Sequence, residues 1–247
     1  MKQKNLIPLC LMALAVLSFC LTGTSCSGNC CKQQQEAASN VDANGDTPLE
    51  AEIRAMGLVD IQEVDSAVAV HLVYATPYNF MGRQLYYGLT KAFMQPELAQ
   101  KVSEARKLLK SIRPDLNFLV YDAARPIRIQ HSMWDMVKDT DMRDFVADPT
   151  NSQGMHNYGA AVDLTLMDCT GQPLPMGSEY DYFGDEARTN IEDQLLKDGR
   201  ITQRELENRL LLRRVMTEVG LQVFESEWWH FNLMSPEEAQ QKLKVVQ

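Results

Sequence analysis

Cysteine is almost absent from the part of this chain that can fold. Five of the six cysteines lie within the first 31 residues, and only Cys169 lies beyond them. One cysteine cannot cross-link a core, so a disulfide-stapled fold is excluded. The adjacent Cys30 and Cys31 lie in a polar stretch, and we interpret them as incidental thiols rather than metal ligands.

Basic charge and long hydrophobic runs are also scarce. The chain has 24 Lys and Arg against 33 Asp and Glu, a formal net charge of -9, and therefore lacks the basic surface typical of nucleic-acid binding. The apolar run at residues 6–21 is short for a helix that spans a hydrocarbon core of about 30 Å. With 247 residues, 45% of them hydrophobic, and no internal repeat, the sequence favours one compact domain.

The first 26 residues have the pattern of an export signal, because two lysines precede the apolar run and small residues follow it. The ending Gly23-Thr24-Ser25-Cys26 resembles a bacterial lipoprotein processing site, in which the cysteine receives the lipid. We therefore expect an exported periplasmic or outer-envelope lipoprotein anchored through Cys26. A cleaved soluble periplasmic protein is the alternative, and an uncleaved anchor is the third. Residues 27–48 predict a flexible tether, and residues 49–247 the domain.

Helices and strands are mixed without a regular alternation. The pattern of apolar residues predicts helices at 49–57, 95–112, 127–139, 202–220 and 235–247, and extended chain at 59–75, 117–126, 160–166 and 221–233. This order favours an α+β fold, a single domain with a small central antiparallel sheet flanked by helices, over a doubly wound fold.

Three residues have the chemistry of a metal site. A catalytic zinc needs three His, Asp, Glu or Cys ligands and an open position for water, and His156, Asp163 and His230 can supply such a set. Glu227 is the candidate general base for that water, since it lies three residues before a ligand. Taken singly, a histidine is more often an ordinary side chain. A carboxylate in the apolar strand around Asp163, by contrast, needs a partner or a metal.

Each pair of these residues requires a bend in the chain. The first two ligands lie on either side of Gly159, which can fold a loop back against a strand. The base and the third ligand are three residues apart and would face opposite sides of an ideal strand, so a turn or twist is expected at Trp228-Trp229. The remaining histidines, His71 and His131, are interpreted as structural.

The spacing H-x6-D, followed by a distant E-x-x-H, resembles that of a known family. HNYGAAVDLTL from His156 and ESEWWHF from Glu225 look like the zinc D-alanyl-D-alanine dipeptidases of the VanX type, within the hedgehog-like zinc D-peptidases. Three further blocks agree with that family: YATPYNFMG from Tyr74, YDAARP from Tyr121 and LPMGSEYDYFGDEA from Leu174. The resemblance covers most of the chain after about residue 55.

The resemblance implies a role for the metal set and the base. His156, Asp163 and His230 match the ligands of one zinc ion per chain. Glu227 matches the base that activates water and then passes its proton to the leaving amine.

Two further residues match groups that contact the substrate. Arg125 matches the arginine that stabilises the tetrahedral oxyanion, and Asp181 the acidic group that holds the free ammonium of the dipeptide; the structural alternatives are a salt bridge and a turn. One departure is visible, because Gly154 and Met155 stand where the family commonly has serines. The dipeptide preference is therefore left open.

These observations predict a zinc peptidase that hydrolyses D-Ala-D-Ala or related short D-dipeptides. Two alternatives are kept. One is a D,D- or L,D-carboxypeptidase that trims peptidoglycan stem peptides, against which Asp181 and its block argue. The other is a non-catalytic zinc-binding or cell-wall-binding lipoprotein, against which Glu227 argues.

Overall fold

The computed structural model describes residues 41–150 and 154–247. The predicted export signal, the lipidation site at Cys26 and the tether up to residue 40 lie outside the described residues. Within the described residues, no helix is long and apolar enough to cross a membrane.

Seven α-helices and seven strands are mixed along the described chain, which confirms the α+β class. The helices are α1 (Pro48–Ala55), α2 (Ile61–Val64), α3 (Pro96–Ile112), α4 (Ile127–Val137), α5 (Glu192–Lys197), α6 (Gln203–Glu218) and α7 (Pro236–Lys242). The strands are β1 (Val59–Asp60), β2 (Ala69–Val70), β3 (Phe93–Met94), β4 (Asn117–Asp122), β5 (Ala161–Met167), β6 (Gln222–Val223) and β7 (His230–Asn232). Short 3-10 helices lie at Val73–Ala75, Asp141–Phe145, Met155–Tyr158 and Asp185–Ala187.

The main sheet has five strands in the order β2-β4-β5-β7-β6, and β1 and β3 form a separate two-stranded ladder. Three of the four pairings in the main sheet are antiparallel, whereas the edge strand β2 runs parallel to β4. The expected antiparallel sheet is therefore a mixed one. Helices α3 and α6 pack against each other, α3 against β4 and α6 against β5. The central strand β5 is buried along almost its whole length.

The two long helices form where the apolar spacing predicts them. In α3, the buried residues Leu98, Val102, Ala105 and Leu109 recur every three or four positions, and Pro96 occupies the first turn, where its missing N–H costs nothing. Burying one such leucine side chain contributes about 1.5–3 kcal/mol. These helices therefore pack their apolar faces against each other and against the central strands of the sheet.

The stretch 59–75 does not form the continuous extended chain that its apolar alternation predicts. The carboxylate of Asp60 accepts a hydrogen bond from the backbone N–H of Gln62 at 3.2 Å and so starts the short helix α2. A 3-10 helix at Val73–Ala75 interrupts the chain again. Only β1 and β2 are strands there, since local capping overrides the period-two pattern.

The last residues assigned to the tether pack on the domain. Asp46 is buried and forms ion pairs with Arg54 and Lys91. Thr47 begins α1 with a capping box, in which its hydroxyl accepts from the N–H of Glu50 and the Glu50 carboxylate accepts from the N–H of Thr47. The packed structure therefore begins before residue 49.

Gly159 makes the bend that was expected between the first two ligands. Its φ of 61° and ψ of 23° are left-handed, and they turn the chain from the 3-10 helix Met155–Tyr158 into β5. A Cβ at this position would lie 2.4 Å from Cδ2 of the buried Leu58. Both the backbone angle and the close approach therefore require glycine here.

We expect Gly159→Ala to lower the free energy of unfolding by about 2 kcal/mol or more, since a left-handed residue with a Cβ costs about 1–2 kcal/mol before any clash. Urea unfolding monitored by tryptophan fluorescence measures this change. Gly171→Ala is the matched control, because Gly171 also has a positive φ, 84°, but has open space around its Cα. Equal losses for the two variants would show that the contact with Leu58 contributes nothing.

The C-terminal stretch after α7 joins two segments that carry site residues. The backbone N–H of Val246 donates to the carbonyl of Asn157 at 2.7 Å, and its own carbonyl accepts from the N–H of Ile127 at 2.8 Å. Val246 is fully buried. The start of α4 and the 3-10 helix of residues 155–158 are thereby held at a fixed separation.

Candidate active site

Strand pairing brings two of the proposed ligands together. Asp163 on β5 lies directly opposite His230 on β7, and opposite Asp122 on β4 on its other side. The register of β4 shifts by one residue between Val120 and Asp122, a bulge that places Asp122 rather than Tyr121 beside Asp163. Residues directly opposite on neighbouring strands have side chains in contact, so sheet register alone builds this row.

The third ligand arrives from the loop before β5. His156 lies in the 3-10 helix of residues 155–158, and its Nε2 is 3.2 Å from Oδ1 of Asp163 and 3.1 Å from Nδ1 of His230. The distance from His230 Nδ1 to Asp163 Oδ1 is 2.9 Å. All three side chains are buried, and the three atoms can face one metal ion.

The outward atom of each ligand is held by a hydrogen bond. His156 Nδ1 donates to the carbonyl of Ala123 at 2.7 Å, and His230 Nε2 donates to the side-chain oxygen of Asn232 at 2.8 Å. The hydroxyl of Tyr180 donates to Oδ2 of Asp163 at 3.0 Å. Such outer partners fix the orientation of metal ligands and the tautomer of each histidine.

This hydrogen-bond pattern leaves the inward atoms of the three side chains as electron-pair donors that can bind a cation. With its proton on the outward nitrogen, each imidazole directs a lone pair inward, and Asp163 directs a carboxylate oxygen to the same point. Converging lone pairs repel one another unless a cation or protons lie between them. Burial alone would lower the pKa of His156, but the carboxylate of Asp163 raises it above the usual value, so protons compete for the same lone pairs.

Glu227 lies in the turn between β6 and β7, which supplies the bend expected at Trp228-Trp229. Its side chain is 14% exposed, and Oε2 lies 3.8 Å from His230 Nδ1. The backbone N–H of Trp228 donates to the carbonyl of Ala187, and its indole N–H donates to the hydroxyl of Ser178, so the turn is anchored. Burial raises the pKa of Glu227 to about 7.

Arg125 follows β4 and forms the salt bridge that was its structural alternative. Its Nε and Nη2 donate to Oδ2 of Asp122 at 3.0 and 2.7 Å, while the hydroxyl of Tyr86 donates to Oδ1 of that aspartate. Its Nη1 donates to the side-chain oxygen of Gln130 at 2.9 Å, and its guanidinium lies 5.1 Å from the centre of the Tyr74 ring. The salt bridge therefore holds a guanidinium that also lines the cavity described below.

Asp181 has an unusual backbone and an unpaired oxygen. Its φ of 60° is the one positive value among the described non-glycine residues. The hydroxyl of Tyr74 donates to Oδ1 at 2.8 Å, but Oδ2 is buried without a hydrogen-bond partner in the described structure. Burial raises the pKa of Asp181 to about 7, although the bond from Tyr74 lowers it. A buried carboxylate oxygen without a partner indicates a place for a cationic or hydrogen-donating ligand.

One cavity joins all of these groups. It has a volume of about 280 Å³, and aromatic side chains of Phe80, Phe145 and Phe183 form part of its wall. It is lined by the six residues singled out in the sequence: Arg125, His156, Asp163, Asp181, Glu227 and His230. His71 and His131 are exposed and do not line it.

Comparisons with known proteins agree with this arrangement. The model of the M15 peptidase family, described as D-Ala-D-Ala dipeptidase, matches residues 54–247. The chain belongs to this family.

Three D-alanyl-D-alanine dipeptidases are similar to this chain along most of their lengths. The one from Escherichia coli (strain K12) is 30% identical over 180 residues, which cover 71% of this chain and 84% of that protein. The one from Enterococcus faecium is 27% identical over 198 residues, covering 72% and 92%. The one from Synechocystis sp. is 27% identical over 185 residues, covering 63% and 74%.

Lack of space does not explain why this M15 family member has Gly154 where the family commonly has a serine. Gly154 has a φ of -63°, and a Cβ there would lie 3.5 Å from Cβ of Ala147 and 3.6 Å from Oδ1 of Asn157, which are ordinary contacts. Met155 is buried and lines the cavity. A serine would therefore fit at residue 154, and the glycine leaves that part of the wall without a side chain.

Several residues that organise the site were not singled out in the sequence. Tyr74, Asp122 and Tyr180 lie inside the blocks that resemble the dipeptidase family, so those blocks were the available signal. Gln130 and Asn232 lie outside the blocks, and nothing in their local sequence marks them.

Proposed function

We propose that this protein is a zinc-dependent dipeptidase that hydrolyses D-Ala-D-Ala and related short D-dipeptides. The observation that carries the proposal is the convergence of three inward-facing ligand atoms beside the carboxylate of Glu227. The unpaired Oδ2 of Asp181 in the same cavity supports a substrate with a free ammonium group. Membership of the M15 family supports the reaction class.

Zinc is the metal that best matches the donor set. Two imidazoles and one carboxylate are typical ligands of catalytic zinc, whereas magnesium and calcium prefer oxygen donors. The inward atoms of His156, Asp163 and His230, which lie 2.9 to 3.2 Å apart, would hold the ion. When bound, the ion would supply Lewis acidity, which lowers the pKa of water and polarises a carbonyl.

Glu227 acts as the general base and then as the general acid. Its carboxylate accepts the proton of the attacking water and delivers it to the nitrogen of the leaving D-amino acid. In the metal-free site, burial raises its pKa to about 7, and its position 3.8 Å from His230 Nδ1 places the carboxylate beside the proposed water position.

Arg125 and Asp181 contact the scissile carbonyl oxygen and the free ammonium, which both belong to the first residue of the substrate. The guanidinium of Arg125 is held by Asp122, so it can stabilise the negative charge that develops on the carbonyl oxygen without reorganising. Asp181 binds the free ammonium, which replaces the missing partner of its Oδ2. A site with this carboxylate discriminates against peptides whose amino end is blocked or extended.

Amine release from D-Ala-D-Ala by the purified, zinc-loaded protein tests the function. Free D-Ala-D-Ala should be cleaved, and N-acetyl-D-Ala-D-Ala and a pentapeptide stem ending in D-Ala-D-Ala should not. Cleavage of the blocked and long peptides would favour the carboxypeptidase alternative. Zinc binding without any hydrolysis would favour a non-catalytic zinc-binding lipoprotein.

We expect Asp181→Asn to raise KM for D-Ala-D-Ala by about 10- to 100-fold, because a carboxylate-to-ammonium hydrogen bond contributes about 1.5–3 kcal/mol. Asparagine tolerates a φ of 60° better than alanine, so the substitution avoids backbone strain. The pKa of Asp181 is raised to about 7, so ionisation of its carboxyl group opposes folding. The wild type therefore loses stability as pH rises towards 7. The variant should therefore be at least as stable as the wild type at pH 8, and an unchanged KM would contradict the role.

The cellular role depends on the location, which we propose to be the periplasm or outer envelope through a lipid anchor on Cys26. There the enzyme would not meet cytoplasmic wall precursors, so scavenging of released D-dipeptides is favoured over antibiotic resistance. Fractionation of cells with wild-type protein and Cys26→Ser tests this proposal. The wild type should be in the membrane fraction, and unprocessed wild-type protein in the cytoplasm would contradict it.

A further inference from the structure

Gln130 is a buried polar residue at the wall of the cavity that the proposed mechanism does not use. It lies in the first turn of α4, is 1% exposed, and lines the cavity close to Arg125. A glutamine side chain this deeply buried needs hydrogen-bond partners for both its oxygen and its nitrogen, because an unpaired amide costs about 1–3 kcal/mol.

Both ends of the Gln130 amide are used. Its Oε1 accepts a hydrogen bond from Nη1 of Arg125 at 2.9 Å, and its Nε2 donates to the carbonyl of Ala147 at 2.8 Å. An arginine can only donate and a carbonyl can only accept, so the two partners fix which end of the amide is which. Gln130 therefore connects the guanidinium to the segment of residues 146–147, which also lines the cavity.

The guanidinium of Arg125 is held from two directions as a result. Asp122 binds its Nε and Nη2, and Gln130 binds its Nη1, so three of the five N–H groups are fixed by protein acceptors. Asp122 binds the edge of the guanidinium formed by Nε and Nη2, and the Tyr74 ring lies 5.1 Å from its centre. The hydrogen bond from Nη1 to Gln130 adds an anchor on the other terminal nitrogen, which restricts rotation about the bonds to Asp122.

A glutamine suits this position better than its isosteres. A glutamate would add a second negative charge beside Arg125 and would face the carbonyl of Ala147 without a proton to donate. A methionine has a similar length but no donor and only a weak acceptor. Glutamine holds the guanidinium by a neutral oxygen and so leaves its positive charge available to the cavity.

We propose that Gln130 is a positioning residue, which aims the Arg125 guanidinium at the oxygen that becomes negative during hydrolysis. The inference rests on the proposed function of the site. Gln130 touches neither the substrate nor the metal ligands in this role; it acts through Arg125. A misplacement of about 1 Å in such a group can cost about 10²-fold in rate, so the effect should appear in kcat.

The test is Gln130→Met in the full-length, zinc-loaded protein. We expect kcat for D-Ala-D-Ala to fall about 10- to 100-fold, with KM changed less than about twofold. Affinity for a phosphinate analogue of the dipeptide, whose tetrahedral P–O⁻ replaces the scissile carbonyl, should fall by a similar factor. Gln62→Met is the control for loss of an amide-to-carbonyl bond alone, since the exposed Gln62 donates to the carbonyl of Val68 outside the cavity.

A double-mutant cycle separates positioning from a merely structural role. In an Arg125→Met background, Gln130→Met should change kcat/KM by less than about twofold, because the group that it aims is gone. An equal fall in both backgrounds, or an unchanged kcat in Gln130→Met, would overturn the inference while leaving the dipeptidase function intact. A wild type that neither cleaves the dipeptide nor binds the phosphinate would overturn the proposed function and, with it, this inference.

Discussion

Glu227→Gln is expected to bind zinc as the wild type does and to hydrolyse D-Ala-D-Ala about 10³-fold more slowly, within the 10²–10⁴-fold range of general acid–base catalysis. The amide has the shape of the carboxylate, so the buried position stays packed, but it can neither accept the proton of water nor return one to the leaving amine. Steady-state kinetics with metal analysis of the same sample measures both quantities. The loss should lie in kcat rather than KM, because proton transfer occurs only on the path to the transition state.

The same turn offers a matched control for that variant. Glu225 is exposed, and its carboxylate accepts a surface hydrogen bond from Asn190 at 3.3 Å. Glu225→Gln should retain full activity. A Glu227→Gln enzyme with more than about a tenth of the wild-type kcat would exclude Glu227 as the base, since that loss is below the range expected for such a group.

The metal-free form provides a check that Glu227→Gln does not act by misfolding. Burial raises the pKa of Glu227 to about 7, above its usual 4.5, so ionisation opposes folding as pH rises through this interval. The glutamine variant does not ionise and should be at least as stable as the wild type at pH 8 without metal. Thermal unfolding in a chelator at pH 8 measures the difference.

His156→Ala is expected to abolish hydrolysis through loss of the metal. Removing an outer-shell partner of a ligand already costs about 10–100-fold in metal affinity, so loss of a ligand should weaken zinc binding by at least about 10²-fold. Calorimetric titration with zinc measures the affinity. Zinc at 100 times its dissociation constant stabilises a folded protein by about 2.7 kcal/mol, so the rise in melting temperature on zinc addition should also disappear.

His131→Ala is the control for the ligand variant, because His131 is exposed on α4 and does not line the cavity. Tyr180→Phe should give an intermediate result, since it leaves Asp163 in place and removes the hydrogen bond to the outward oxygen of that aspartate. The expected order of zinc affinity is wild type equal to His131→Ala, then Tyr180→Phe, then His156→Ala. Wild-type affinity in His156→Ala would show that the metal does not bind between these three ligands.

The three candidate metal ligands were predictable from the sequence because the spacing H-x6-D with a distant E-x-x-H resembles that of a known family. Asp163 lies within an apolar strand, and His230 follows Glu227 at short range, so residue type and spacing carried the signal. The bends at Gly159 and before β7 were also expected, because the required geometry was incompatible with straight strands. In each case the information lies within a few residues of chain.

The contacts of the supporting residues were not predictable because their partners are distant in sequence, although Asp122 and Tyr180 lie in blocks that resemble the family. Gln130 contacts the carbonyl of Ala147, and Tyr180 contacts Asp163, only after the loops have packed on the sheet. The place of Asp122 beside Asp163 depends on a one-residue register shift in β4. The parallel pairing of the edge strand β2 was not predictable either, because a strand of two residues is too short for its sequence pattern to indicate its direction.

The hydrogen bonds of Val246 affect the order in which the site can form. This residue is synthesised after every ligand, after Glu227 and after Arg125, yet it bridges Ile127 and Asn157, which flank Arg125 and His156. A nascent chain that still lacks residue 246 carries the complete set of chemical groups without the clasp that fixes their separation. We therefore expect the three candidate ligands to reach their final separation only after the segment around Val246 has been made and has packed against Ile127 and Asn157.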